Sequence, residues 1–218
     1  MPLSKKEPAD KLKKKAINLI FDLVTNIPES LLVSTGDPDA RAKQLTQKAA
    51  LKASAVSATL SIPAGFTGIL TAIPDIAAIW RIQAQLVADI AASYGKIALL
   101  TREAMVWCMF RHSAAQLLRD VAVRTGSRII VQKLSSTALK KLVEKIGLKI
   151  SSTFLGKTLL RAIPAIGAIG NGAYAYFDTR EVGNTAAAYF KALADKESQK
   201  AESDVDACEP AEKSENLP

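Results

Sequence analysis

Cysteine, histidine and aromatic side chains are scarce in this 218-residue chain. Its two cysteines, Cys108 and Cys208, lie far apart, which excludes a disulfide framework and a cysteine zinc site. His112 is the sole histidine, so a histidine-based metal centre has no second imidazole to draw on. Aromatics make up 6% of the residues against 49% hydrophobic overall. The apolar content is therefore Ala, Leu, Ile and Val, the composition of close-packed helices more than of an aromatic-rich sandwich. Mean hydropathy is +0.12 in a chain that is 23% charged, so the apolar residues must be gathered into blocks. At ~150 residues per domain, this length reads as one domain with tails.

Catalytic motifs are missing too. Leu155-Gly156-Lys157-Thr158 has the ending of a phosphate loop, but Ser151 stands where the first glycine belongs and the surrounding pattern is helical. Gly167, Gly170 and Gly172 have the wrong order for a dinucleotide fingerprint and follow a proline; close helix approach explains them better. There is no Gly-x-Ser-x-Gly elbow. Cys108 sits in the apolar run Val106-Trp107-Cys108-Met109-Phe110, the setting of a small buried hydrophobe. No catalytic residue, cofactor site or metal site is read from the sequence, and the chain is not expected to be an enzyme.

What is abundant is positive charge. Basic residues number 29 against 21 acidic, a net charge of +8. The last 24 residues carry eight acids and three bases, so the body is more basic still. Lysines open the chain at positions 5, 6, 11 and 13–15, and ten Lys/Arg fall within 119–161. Such a balance suits phosphate-bearing partners, nucleic acid or an anionic membrane. Nucleic-acid binding is disfavoured because no aromatic platform or reading motif interleaves the bases.

The expected organisation is a basic, flexible lead-in over 1–10, a helical body over 11–195 and a disordered acidic tail over 196–218. Ile17, Ile20, Phe21 and Val24 recur at helical spacing, and Asp37-Pro38 reads as a cap with proline at the first helical position. Residues 53–74 contain no charge. Twenty-two residues are enough for a span. Pro63, Gly65, Gly68 and several Ser and Thr instead indicate two buried or membrane-dipping pieces, an apolar hairpin presenting Ile62, Pro63, Phe66, Ile69 and Leu70. A helix is expected from Asp75 after Pro74, closing at Gly95. Asp75 itself is read either as that helix's cap or as a buried or membrane-depth carboxylate paired with Arg81 or another base. Another helix is expected over 99–123. A basic amphipathic helix follows, with a Leu139, Leu142, Val143, Ile146, Ile150 stripe beside a Lys141, Lys145, Lys149 row. A last helix starts after Pro164. Residues 72–79 and 162–169 match at six of eight places, as two similar Pro-led, Gly/Ala-rich hairpins would. The fold class expected is all-α, one domain of six or seven helices.

The segment Ile73-Pro74-Asp75 through Leu86, with Asp89-Ile90-Ala91 and Tyr94-Gly95, resembles the EcsC family of bacterial proteins. A second block carries the same resemblance: Ile163-Pro164-Ala165-Ile166-Gly167-Ala168, Asn171, Arg180-Glu181-Val182-Gly183, Ala187 and Tyr189-Phe190. It spans roughly 40–192. The resemblance implies a helical fold and a setting near a membrane transport system, since the family takes its name from a protein encoded beside an ABC transporter. It supplies no catalytic residues.

Two functional readings follow. In the first, the protein docks on an anionic membrane surface through Lys141, Lys145 and Lys149 and the apolar hairpin, with an integral membrane protein such as an ABC transporter as a partner. In the second it is a soluble helical scaffold whose uncharged segment is core. The apolar stretch over 16–24 is interrupted by Asp22 and no cleavage site follows, so the expected location is cytoplasmic, peripheral to the inner face of the membrane.

Overall fold

A computed structural model of the chain describes residues 6–60, 68–118, 122–125, 128–131, 133–157 and 164–206, with side chains described within 13–59, 76–118, 131, 133–149 and 172–200. The fold is all-α. Six helices follow in order: α1 Lys6–Thr25, α2 Pro38–Leu60, α3 Gly68–Ser93, α4 Arg102–Ala114, α5 Ser136–Lys157 and α6 Pro164–Asp206. A 3-10 turn, Ile97–Leu99, precedes α4, and a two-stranded antiparallel ribbon, β1 Ala122–Thr125 with β2 Arg128–Val131, leads into α5. Helices α2 and α6 form one close pair and α1 and α5 another, with α3 and α4 between them.

Local chemistry sets several helix ends, those at Asp37-Pro38 and Gly95 as the sequence predicts. The Asp37 carboxylate accepts from the Ala40 amide at 2.9 Å, and Pro38 opens α2 without a donor to waste. Thr101 caps α4 by accepting from Ala104 N at 3.2 Å, and Ser135 does the same for α5 through Ala138 N. Gly95, at φ +67°, closes α3: its amide reaches Ala92 O at 2.8 Å and that of Lys96 reaches Ala91 O at 2.7 Å. That reversal needs the left-handed backbone only glycine adopts freely.

The core is built on α3 and α4. Val87, Ile90, Met105, Val106, Met109 and Phe190 are wholly enclosed, and Trp80 meets Phe110 edge to face at 5.5 Å. The run 103–110 is buried on every side, and its apolar part, Val106 to Phe110, suggests contact on more than one side. Cys108 is sealed within it, and burial pushes its thiol well above the usual range, which makes it inert.

Small residues bring α2 against α6. Ala42, Thr46, Ala50, Ala53 and Ser57 are buried along α2 at helical spacing, and α6 meets this helix at Gly172 and Gly183, with Ala175, Thr179, Val182 and Ala186 buried along α6. The pair runs antiparallel, because Thr46 meets Gly183 while Ser54 meets Gly172. Gly147 plays the matching part between α5 and α1, where a Cβ would lie 2.6 Å from Ile17 Cγ1.

The architecture departs from the sequence reading in four places. Helix α4 stops at Ala114, and Val123 lies in β1, not in a helix over 99–123. The alternating β-branched residues around Gly126-Ser127 favour a hairpin there. Helix α3 begins at Gly68 and carries Pro74 inside it, so Asp75 sits in the helix interior and not at its N-terminus; of the two matching prolines, Pro164 leads a helix and Pro74 does not. Pro74 forfeits one backbone hydrogen bond there. Helix α6 continues through Asp206, eleven residues into the expected tail, because Lys, Glu, Gln and Ala favour helix. At the other end α1 begins at Lys6, inside the expected lead-in. Ile62, Pro63 and Phe66 of the expected hairpin lie outside the described residues, as do the side chains of Ile69, Leu70 and Asp75.

Gly183 offers a direct check on the α2–α6 seam. A Cβ there would overlap the hydroxyl and methyl of Thr46. Gly183→Ala is expected to destabilise the protein by about 1–3 kcal/mol, the usual cost of overpacking. Adding Thr46→Ala should restore part of the loss. Chemical denaturation of both variants reads this, and additive losses would mean the seam is not so close.

Candidate functional site

The α5 stripe Leu139, Leu142, Val143 and Ile146 is buried against the rest of the domain, while Lys140, Lys141, Lys145 and Lys149 are exposed. The predicted row Lys141, Lys145 and Lys149 therefore does share one outward side of a helix. The stripe is part of the core. Since Ile17 packs on Gly147, the α1 lysines Lys13, Lys14 and Lys15 lie on the adjoining helix. The seam thus brings two basic clusters from opposite parts of the chain onto neighbouring helices.

A second site lies where α3, α4 and α6 meet. Gln83, nearly wholly buried, donates through Nε2 to Asp178 Oδ2 at 2.7 Å and to Thr179 Oγ1 at 3.2 Å. His112 Nε2 lies 2.6 Å from the other carboxylate oxygen. The His112 and Asp178 side chains are 20% and 15% accessible, through a cleft of about 50 Å³ lined also by Trp80, Met109, Phe110, Ser113 and Tyr174. Burial, then the Asp178 charge, raises the Tyr174 phenol. Gln83 breaks the apolar face of its helix, and His112 is unique in the chain; both were visible signals, but neither identifies Asp178 as the partner.

A third polar cluster joins the ends of α2, α3 and α6. Tyr94 donates its hydroxyl to Asp39, and the Lys191 ammonium pairs with the same carboxylate. Lys191 first and Tyr94 second hold the Asp39 carboxyl below its usual range. Asp39 in turn raises Lys191, while burial and then Asp39 push the Tyr94 phenol far up. Nearby, Ser30 donates to Asp89 at 2.7 Å and Gln85 to the Glu29 carbonyl at 3.0 Å. These bonds pin the α1–α2 connection on α3 with Leu31 98% and Val33 82% exposed.

Among the described residues, no three His, Cys, Asp or Glu side chains converge as a metal set, and no helix is long and apolar enough to cross a membrane. The first part of the uncharged segment belongs to α2, where Ala53 and Ser57 are buried on the side that faces α6. Residues 155–157 of the apparent phosphate loop are the last turn of α5, without the loop that would present amides to a phosphate.

The Asp39 cluster predicts a pH signature. A depressed carboxyl contributes stability present above its unfolded pKa and lost as pH falls through the folded one; a raised lysine contributes stability lost as pH rises through its own. Both act between about pH 4 and 10. Asp39→Asn should melt earlier than wild type at neutral pH, and the gap should close below about pH 3. A gap that persists in acid would remove the carboxylate from the account.

No curated protein and no solved structure matches the chain. One family model does match, that of the EcsC protein family, over residues 33–192. That interval contains the α2–α6 seam, the Tyr94-Gly95 turn that ends α3 and anchors Asp39, and Gly183, which admits Thr46. By this match over most of its length, the chain belongs to the EcsC family.

Proposed function

We propose that the protein is a non-catalytic helical module that docks on an anionic membrane surface, on the cytoplasmic side, through the lysines of α5 and α1. The observation that carries this reading is the α5 helix itself. Its apolar stripe is consumed by the core, so Lys141, Lys145 and Lys149 project from a rigidly held helix. Among the residues with described side chains, seven lysines on two packed helices, against Glu144 and Asp22, form a surface suited to phosphate headgroups. An integral membrane partner such as a transport system fits the same setting by family analogy alone. The alternative, a soluble scaffold, draws on the burial of Ala53 and Ser57, which gives the start of the uncharged segment a place in the core.

Vesicle co-sedimentation separates the two. Each lysine near an anionic surface contributes ~1 kcal/mol, screened by salt within a Debye length. Changing Lys141, Lys145 and Lys149 to Gln together should weaken binding to anionic vesicles by up to about 100-fold, and by less in high salt. The melting temperature should hardly move, because the substituted side chains are exposed. Wild-type protein that ignores anionic vesicles would leave the scaffold reading in place.

A further inference from the structure

The cleft between α3, α4 and α6 has a composition that selects one kind of guest. Its walls are the rings of Trp80, Phe110 and Tyr174, the thioether of Met109, and the polar groups of His112, Ser113 and Asp178. Aromatic faces carry negative potential and attract cations, most strongly where water is displaced. Asp178 is the one carboxylate among the lining residues. It has capacity left: a carboxylate offers about four acceptor positions, and His112 and Gln83 occupy one on each oxygen.

Its charge is also incompletely answered. Gln83 is neutral, and His112 compensates the carboxylate only when protonated. No lysine or arginine among the described residues is paired with Asp178. The site is held in shape before any guest arrives. Gln83 ties Asp178 to Thr179, which is fully buried, and the Trp80–Phe110 pair fixes the base at 5.5 Å between centroids. At about 50 Å³ the cleft is far below the size of a substrate pocket and suits one small headgroup. A hard metal ion is a poor match, because it seeks six or more oxygens and the cleft provides one carboxylate.

We propose that this cleft binds an organic ammonium group, with the Asp178 carboxylate meeting the charge and the Trp80, Phe110 and Tyr174 rings enclosing its carbon substituents. The ammonium is that of a zwitterionic lipid headgroup or of a free amine, the chemistry being shared. The inference does not rest on the lysine row, which attracts the opposite charge.

The test is an NMR titration of the full chain with tetramethylammonium chloride and with ethylammonium chloride, against sodium chloride at equal concentration. The Trp80 indole and His112 imidazole signals should move saturably with at least one ammonium salt and not with sodium chloride. Tyr174→Leu should weaken binding by roughly 2- to 30-fold, the range of a cation–π contact. That side chain is 51% exposed, so the variant should fold. Asp178→Asn keeps the size and an accepting oxygen but loses the charge, and should weaken binding at least about tenfold. Equal shifts with sodium chloride, or undiminished binding by Asp178→Asn, would overturn the proposal. Neutral vesicles of phosphatidylcholine or phosphatidylethanolamine, offered to protein lacking Lys141, Lys145 and Lys149, then identify the source. Pelleting abolished by Asp178→Asn assigns a lipid headgroup; ammonium binding without pelleting assigns a free amine.

Discussion

The approach of Thr46 to Gly183 is the contact on which the rest of the fold depends. Two helices come this close only where neither presents a bulky side chain, and α2 and α6 face one another with Ala, Ser, Thr and Gly. Helix α6 is thereby fixed along much of its length, about 65 Å at 1.5 Å per residue. The same helix also meets α3 and α4. Asp178 and Thr179 turn toward Gln83 and His112, Lys191 reaches Asp39, and Glu197 pairs with Lys96 beyond the end of α3. A shift of α6 along α2 by one turn would misalign all of these together. The seam therefore sets the register of the polar clusters.

This dependence explains what could be read in the sequence. Helix ends governed by a few adjacent residues were legible: Asp37-Pro38, Gly95 and Pro164 each act through local backbone chemistry. The α5 stripe was legible because its period is its own. Pro74 ordinarily marks a helix start, yet α3 begins at Gly68 and carries it inside, so that reading failed. The expected end of α6 failed because helix-favouring residues continue past it, where Glu197 also pairs with Lys96.

The polar clusters were the least legible part. Gln83 and His112 stand out in their own helices, but Asp178 is separated from them by 95 and 66 residues. Choosing it from 21 acids requires knowing the rotation and register of α6, and those come from the small-residue seam. Asp39, Tyr94 and Lys191 raise the same difficulty, with 152 residues between the charged partners. Such pairs follow from the packing and do not direct it. Their sequence trace is a polar residue on a helix face with no visible reason to be there.

The division of labour along α5 constrains the proposed docking. An amphipathic helix that lies in a membrane uses its apolar face for insertion, whereas this one has committed that face to Ile17, Ile20 and the core around them. Attraction through α5 is then electrostatic. Three lysines at ~1 kcal/mol each correspond to affinity weaker than millimolar. A surface that works at lower concentrations needs the neighbouring charges as well, and the α1–α5 contact supplies them by placing Lys13, Lys14 and Lys15 on the adjoining helix. On this reading Gly147 has a functional consequence beyond packing: by letting Ile17 approach, it joins two clusters that are each too weak alone. The basic surface is then a property of the α1–α5 pair, and not of either helix.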